Sequence, residues 1–108
     1  MSNIGYDFEK DLSKELGLER VPGSGNKASS KLDLKGWGMR WSLKATEKKS
    51  ASISQKVIDE AIDVCYGPGG DGSLPVWAFR IGDSDYDMIM IRKKDFKLLQ
   101  QGEFKIGD

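Results

Sequence analysis

Residues 40–50 read RWSLKATEKKS. Arg40, Ser42 and Lys44 alternate with Trp41, Leu43 and Ala45. Side chains along a strand point to opposite faces in turn, so this period predicts a half-buried strand with one apolar and one polar face. Lys44 then sits in the middle of the polar face, with Ser42 two residues before it. Such a lysine is either a solvated side chain or a cation held beside a reacting centre. The surrounding sequence bears on which.

Upstream, KLDLKG (31–36) alternates Lys31, Asp33 and Lys35 against Leu32 and Leu34, which predicts a short strand. GWG (36–38) is a tight connection, and the strand containing Lys44 follows as the second arm of a hairpin. Further upstream, Phe8, Leu12 and Leu16 recur every fourth residue among charged ones, which predicts an amphipathic helix closed by Gly17. Between helix and hairpin, LERVPGSGNKASSK (18–31) reads as a loop.

Downstream, ISQKVIDEAIDVCY (53–66) predicts a helix with Ser54 as N-cap, and Val57, Ala61 and Val64 as its buried stripe flanked by Ile58 and Ile62. GPGGDGS (67–73) is a loop. LPVWAFRI (74–81) and YDMIMIR (86–92) are apolar strands separated by GDSD, and KKDFKLLQQG (93–102) forms a short last helix. The expected order is α-β-β-α-β-β-α. It describes an α/β fold, a small mixed sheet of about four strands flanked by helices, in one domain spanning 1–108.

The composition restricts the chemistry. The 108 residues contain one cysteine and no histidine. A zinc site and a histidine-dependent nucleophile therefore cannot be assembled, and catalysis would rest on carboxylates, lysines, hydroxyls or a hard cation. Cys65 reads as a small buried apolar residue. No apolar run is long enough to span a membrane, and the N-terminus lacks the apolar core of a signal peptide, which points to the cytoplasm. The net charge is zero, yet residues 20–56 carry nine basic residues (Arg20, Lys27, Lys31, Lys35, Arg40, Lys44, Lys48, Lys49 and Lys56) against only Asp33 and Glu47. A neutral chain with one basic third can present a cationic face to phosphates.

On the polar faces of the hairpin, Asp33 and the Ser42–Lys44 pair are expected to converge, because neighbouring strands lie about 5 Å apart. A carboxylate there suits Mg²⁺, and an adjacent lysine suits the charge that builds on a phosphate. A second carboxylate is needed. Glu60, beside the predicted stripe of the central helix, is the first choice, and Glu9 on the first helix is the second.

These residues resemble a known family. FEKDLSKELGLERVPGSGNKASSKLDLKG, then SLKAT and ISQKVIDEA, is similar to the PD-(D/E)XK nuclease superfamily, and within it to small phage and archaeal Holliday-junction-resolvase-like nucleases, over about residues 5–92. The resemblance implies a restriction-endonuclease-like core, Mg²⁺ (or Mn²⁺) dependence, hydrolysis of DNA phosphodiesters with selectivity for branched DNA, and a homodimer. By position, Glu9 matches the acid of the first helix, Asp33 the metal-binding Asp, and Lys44 the motif lysine. Gly23, Ser24 and Gly25 match a glycine-serine loop near substrate, and Gln55 a polar residue opening the next helix. Lys27, Ser30, Lys31 and Lys48 complete the expected substrate contacts. The departure is Ser42, where most members carry an acid. Some restriction enzymes have Ser-x-Lys with the glutamate displaced to the next helix, and here Glu60 would be that ligand and share the metal with Asp33. The alternatives are a DNA-binding module with the same fold and no cleavage, or a structural or protein-interaction domain.

Overall fold

The computed structural model describes residues 4–20 and 34–102. Helix α1 (Ile4–Leu16) is followed by β1 (Glu19–Arg20), β2 (Leu34–Gly36), β3 (Met39–Thr46), α2 (Gln55–Tyr66), β4 (Leu74–Ile81), a single 3₁₀ turn (Ser84–Tyr86), β5 (Met88–Ile91) and α3 (Lys93–Gln100). The five strands form one mixed sheet in the order β1-β2-β3-β4-β5. The expected α/β fold with a small mixed sheet is the fold observed, with one more strand. That strand, β1, pairs antiparallel through Glu19↔Lys35 and Arg20↔Leu34. Two exposed residues are too few to show any alternation, so its stretch looks like loop in the sequence.

Helix α1 buries Phe8 and Leu12. It stops where Gly17 takes a left-handed φ of 69°, a backbone angle that costs glycine nothing. The Leu18 amide then donates back to the Ser13 carbonyl at 3.1 Å, the long bond of a Schellman motif. Leu18 itself is buried beneath the sheet edge. The β2–β3 hairpin turns through Trp37 and Gly38, with φ of 62° and 74°. Positive φ at both central residues is the pattern of a type I′ turn, where Asn-Gly is the usual choice. A tryptophan there costs about 1–2 kcal/mol. Its indole offsets that by donating Nε1–H to the Leu16 carbonyl at 2.6 Å, which ties the hairpin tip to the end of α1.

Strand β3 is central. It runs antiparallel to β2 (Leu34↔Trp41) and parallel to β4 (Ser42↔Trp77, Lys44↔Phe79). A parallel pair needs a crossover, and α2 supplies it. The sheet consequently has an apolar layer on each side. On the α1 side Phe8, Leu12, Leu18, Leu34, Trp41, Leu74, Val76 and Ala78 form one core. On the α2 side Ala61, Cys65 and Trp77 form another, with Ile53, Ile58, Ile62, Phe79 and Met90 packed around it. Ser54 caps α2 as expected, its Oγ accepting from the Val57 amide at 3.3 Å. The buried stripe of α2 differs from the expected one. It is Ile58, Ala61, Ile62 and Cys65, while Val64 is exposed. Among the described residues, no helix is long and apolar enough to cross a membrane.

One buried cation locks the layers together. Arg80, near the end of β4, is 6% exposed. Its Nε and Nη2 donate to the two oxygens of Asp87 at 2.7 and 2.8 Å, and Nη2 also donates to Asp11 of α1 at 2.9 Å. The guanidinium stands 5.0 Å from the Phe8 ring centre. These hydrogen bonds, to Asp87 foremost, hold the Arg80 proton more tightly than usual against the opposing cost of burial. Replacing Arg80 with Met should lower the unfolding free energy by about 3 kcal/mol, because two carboxylates lose their partner. Asp11→Asn, at a partly exposed position, should cost under about 1 kcal/mol. Urea denaturation of both variants checks the ranking.

Candidate functional site

Alternation along β3 sends Trp41, Leu43 and Ala45 to the α1 side and Ser42 and Lys44 to the α2 side. Ser42 lies opposite Trp77, one of the buried residues under α2. It is only 7% exposed, and among the described residues its Oγ has no hydrogen-bond partner; nor does the buried Nε1 of the neighbouring Trp77. Two residues on, Lys44 reaches solvent, and its ammonium donates to the Ser52 carbonyl in the segment that leads into α2. That hydrogen bond places the charge at the carboxyl end of the parallel β3–β4 pair.

The β3–α2 connection adds further cations at this end. Lys48, Lys49 and Lys56 are exposed, as is Gln55, the first residue of α2. The Lys48 amide donates to Thr46 Oγ1 at 3.1 Å, which shapes the start of the connection. The N-terminus of α2 contributes its partial positive charge to the same region. In open α/β sheets, the carboxyl ends of parallel strands are where ligands bind. The arrangement can therefore accept an anionic, oxygen-rich group, with Lys44 as an ammonium donor from the sheet itself.

The other described basic residues of the segment do not join this cluster. Arg20 pairs with Glu9, and Arg40 pairs with Asp71 at 3.3 Å. Lys35 lies at the far end of the hairpin, lining a cleft of about 620 Å³ with Trp37, Arg40 and Asp71. The cationic surface is thus narrower than the sequence suggests, because sequence counting cannot see which charges are neutralised by ion pairs.

The remaining expected residues fall into three groups. Asp33, Ser24, Gly25, Lys27, Ser30 and Lys31 lie outside the described residues. Glu9 lies across the sheet from Lys44. It faces the α1 side, where its carboxylate pairs with Arg20 and where Leu43 and Ala45 line the same hollow. The expectation that it shares a site with Lys44 is not met, because odd and even residues of β3 are separated by the sheet itself. Glu60 is also turned away. The stripe Ile58-Ala61-Ile62-Cys65 points inward, and at 3.6 residues per turn Glu60 falls roughly opposite it. Glu60 shares the outer surface of α2 with Gln55, Lys56, Asp59 and Asp63. Its expected reach toward Lys44 depended on Val57 and Val64 being the buried stripe, and they are not.

Among the described residues, no group of three or more Asp, Glu, Cys or His gathers to hold a metal ion. The expected Mg²⁺ site also calls on Asp33, which lies outside the described residues. Asp33 immediately precedes Leu34, which pairs with Trp41, the neighbour of Ser42.

One feature, the Asp71 turn, carries chemistry that sequence reading missed, and Cys65 is buried as expected. Asp71 accepts from the Ser73 amide at 2.9 Å, and this contact together with Arg40 holds its carboxyl below the usual carboxylate range. The Asp71-x-Ser73 spacing is a turn signature that could have disclosed it. Cys65 is fully buried, and loss of solvent pushes its thiol up to about 11, so it is no nucleophile at neutral pH. Comparison of the chain with protein-family models, with curated proteins and with solved structures returns no match.

The unpartnered Ser42 hydroxyl has a measurable consequence. Burying a hydroxyl without a partner costs stability, so Ser42→Ala should raise the unfolding free energy by about 1 kcal/mol. Chemical denaturation in the absence of ligand reads this directly. A loss of stability would show that Ser42 Oγ is satisfied in solution.

Proposed function

We propose that this chain is a DNA endonuclease of the PD-(D/E)XK type, dependent on Mg²⁺ and working in the cytoplasm. The observation that carries the reading is the position of Lys44. It stands on the central strand at the carboxyl end of a parallel pair, two residues after Ser42, beside the exposed Lys48, Lys49 and Lys56 and the N-terminus of α2. That environment suits a phosphodiester. The α-β-β-β-α-β-β-α order, with SLKAT on β3 and ISQKVIDEA running into α2, supports the same reading.

In this reading the exposed lysines hold backbone phosphates with little regard to base sequence, and binding weakens as salt rises. The Lys44 ammonium donates to an oxygen of the scissile phosphate, where negative charge grows during attack by water. Asp33 is the acid carried over as metal ligand. A bound Mg²⁺ would supply further neutralisation of that charge. Branched DNA is the preferred substrate by resemblance.

A second reading is a DNA-binding module without cleavage. It is favoured by Ser42, an uncharged residue where an acid is usual, and by the outward placement of Glu60.

Labelled four-way junctions and linear duplexes, incubated with the protein in Mg²⁺ or EDTA, separate the two. Cleavage that requires Mg²⁺ should fall by about 10³-fold or more in Lys44→Ala, a loss of roughly 4 kcal/mol of transition-state stabilisation. DNA retention should change little in that variant at low salt. Retention with no cleavage under any condition establishes the module, and absence of both removes the DNA reading altogether.

A further inference from the structure

The cleft at the far end of the hairpin lies over a part of the sheet that no apolar layer covers. Glu19, Lys35 and Arg40 are successive partners across β1, β2 and β3. They point to the α2 side, because Leu34 and Trp41 next to them belong to the core on the α1 side. The layer under α2 takes its sheet residues from β4 and β5, namely Trp77, Phe79 and Met90, and none from β1, β2 or β3 among the described residues. The charged row is thus left as the floor of an open cleft of about 620 Å³. Trp37 of the hairpin turn and Asp71 and Ser73 of the loop before β4 line it as well. That size is ordinary for a small-molecule site.

Two features of the cleft cost the isolated chain stability. Lys35 and Arg40 stand directly opposite each other, and like charges so placed repel. Their neutralisation is incomplete. Nε and Nη2 of Arg40 donate to Asp71 at 3.4 and 3.3 Å, longer than the roughly 2.7–2.9 Å of a strong charged pair. Lys35 makes no ion pair among the described residues. The second feature is Trp37, a bulky residue held at a positive φ of 62°. Its Nε1–H is engaged by the Leu16 carbonyl, which fixes the ring, yet the residue stays 48% exposed. Backbone strain kept at the mouth of a cavity points to a use for the side chain there.

One class of ligand answers both features. An anion set between Lys35 and Arg40 removes their repulsion, and a flat ring attached to it stacks on the indole. We propose that this cleft binds a nucleotide, its phosphate held by Lys35 and Arg40 and its base stacked on Trp37. A terminal phosphate carries about two negative charges at neutral pH, one for each cation. Arg40 keeps its bonds to Asp71 in this arrangement, because they leave Nη1 unused. The carboxylates of Asp71 and Glu19 are acceptors for ribose hydroxyls or the amino group of a base. Stacking tolerates every base, since each has a π-face. A free nucleotide and the phosphorylated end of a single strand share this chemistry. The cleft lies four residues before Lys44 on the same face of β3, about 13 Å away. It uses none of the residues assigned to cleavage, so it does not rest on the nuclease reading.

Isothermal titration calorimetry of the full chain with AMP, GMP, CMP and UMP tests it. Saturable binding of one nucleotide per chain is expected, with the purines tighter because their larger rings cover more of the indole. Adenosine, which lacks the phosphate, should bind about tenfold more weakly than AMP or worse. Trp37→Asn places the residue that this turn favours and so preserves the fold, yet it should weaken AMP about tenfold or more. Lys35→Gln should weaken AMP about as much, while urea denaturation shows its stability unchanged or raised, because a like-charge contact is gone. Affinity lost without stability lost cannot come from misfolding. A 5′-phosphorylated oligoadenylate hexamer separates the two sources. Binding tighter than that of AMP, and displaced by AMP, assigns the cleft to a strand end; weaker binding assigns it to the free nucleotide. No saturable binding of any of the four nucleotides, adenosine bound as tightly as AMP, or an AMP affinity unmoved by Trp37→Asn or by Lys35→Gln would each overturn the proposal. A chain that binds AMP here and cleaves no DNA sinks the nuclease reading and leaves this one standing.

Discussion

The parallel register of β3 against β4 is the constraint from which the rest of the architecture follows. Two parallel neighbours cannot be joined by a tight turn, so the chain must cross over one face of the sheet, and α2 is that crossover. Once α2 covers one face, α1 is left to cover the other, and β3 and β4 need apolar residues pointing both ways. β4 meets the demand fully, with Leu74 to Ala78 buried without interruption. β3 meets it only in part. Its α1-facing residues are apolar, while its α2-facing residues are Arg40, Ser42 and Lys44. The polar row of β3 is where the second core gives way to charge. It is also where the segment into α2 begins, and so the fold's one lysine on a central strand comes to stand beside a helix N-terminus.

Much of this architecture was legible because the periods are clean. Phe8, Leu12 and Leu16 mark α1, and the alternation from Met39 to Thr46 marks β3. Ser54 marks the start of α2 through a hydroxyl that does cap the helix. What escaped was set by tertiary contact. β1 exists because Glu19 and Arg20 find Lys35 and Leu34, a pairing fifteen residues or so away with no local signal. The inward stripe of α2 was misread because Val64 and Cys65 are both acceptable core residues. The sheet chose Cys65, since Trp77 packs against Ala61 and Cys65 together. A rotation of one residue in that stripe is what carries Glu60 to the outside.

The same one-residue logic governs the site. Sequence spacing correctly put Ser42 and Lys44 on a common face, because a period of two admits no other result. It could not say which helix covers that face. With α2 there and α1 opposite, an acid on α1 such as Glu9 is separated from Lys44 by the thickness of the sheet. Glu9 instead neutralises Arg20, and the basic third of the chain loses that charge as it loses Arg40 to Asp71. Of the described cations of that third, Lys44, Lys48, Lys49 and Lys56 are exposed outside these ion pairs, around the carboxyl end of β3 and the start of α2.

The surroundings of Ser42 disfavour an acid at that position. The side chain is nearly sealed between β3 and the layer beneath α2, with Trp77 directly opposite. An ionised carboxylate in that position would forfeit hydration worth on the order of several kcal/mol. No described side chain donates even to the hydroxyl that stands there. A serine carries the smaller cost of one unmade hydrogen bond, about 1–3 kcal/mol. A serine thus keeps the electrostatic demand on a buried position low, while Lys44, two residues further out, reaches solvent. Any carboxylate serving Lys44 must therefore approach from the solvent end of the strand, where desolvation is mild.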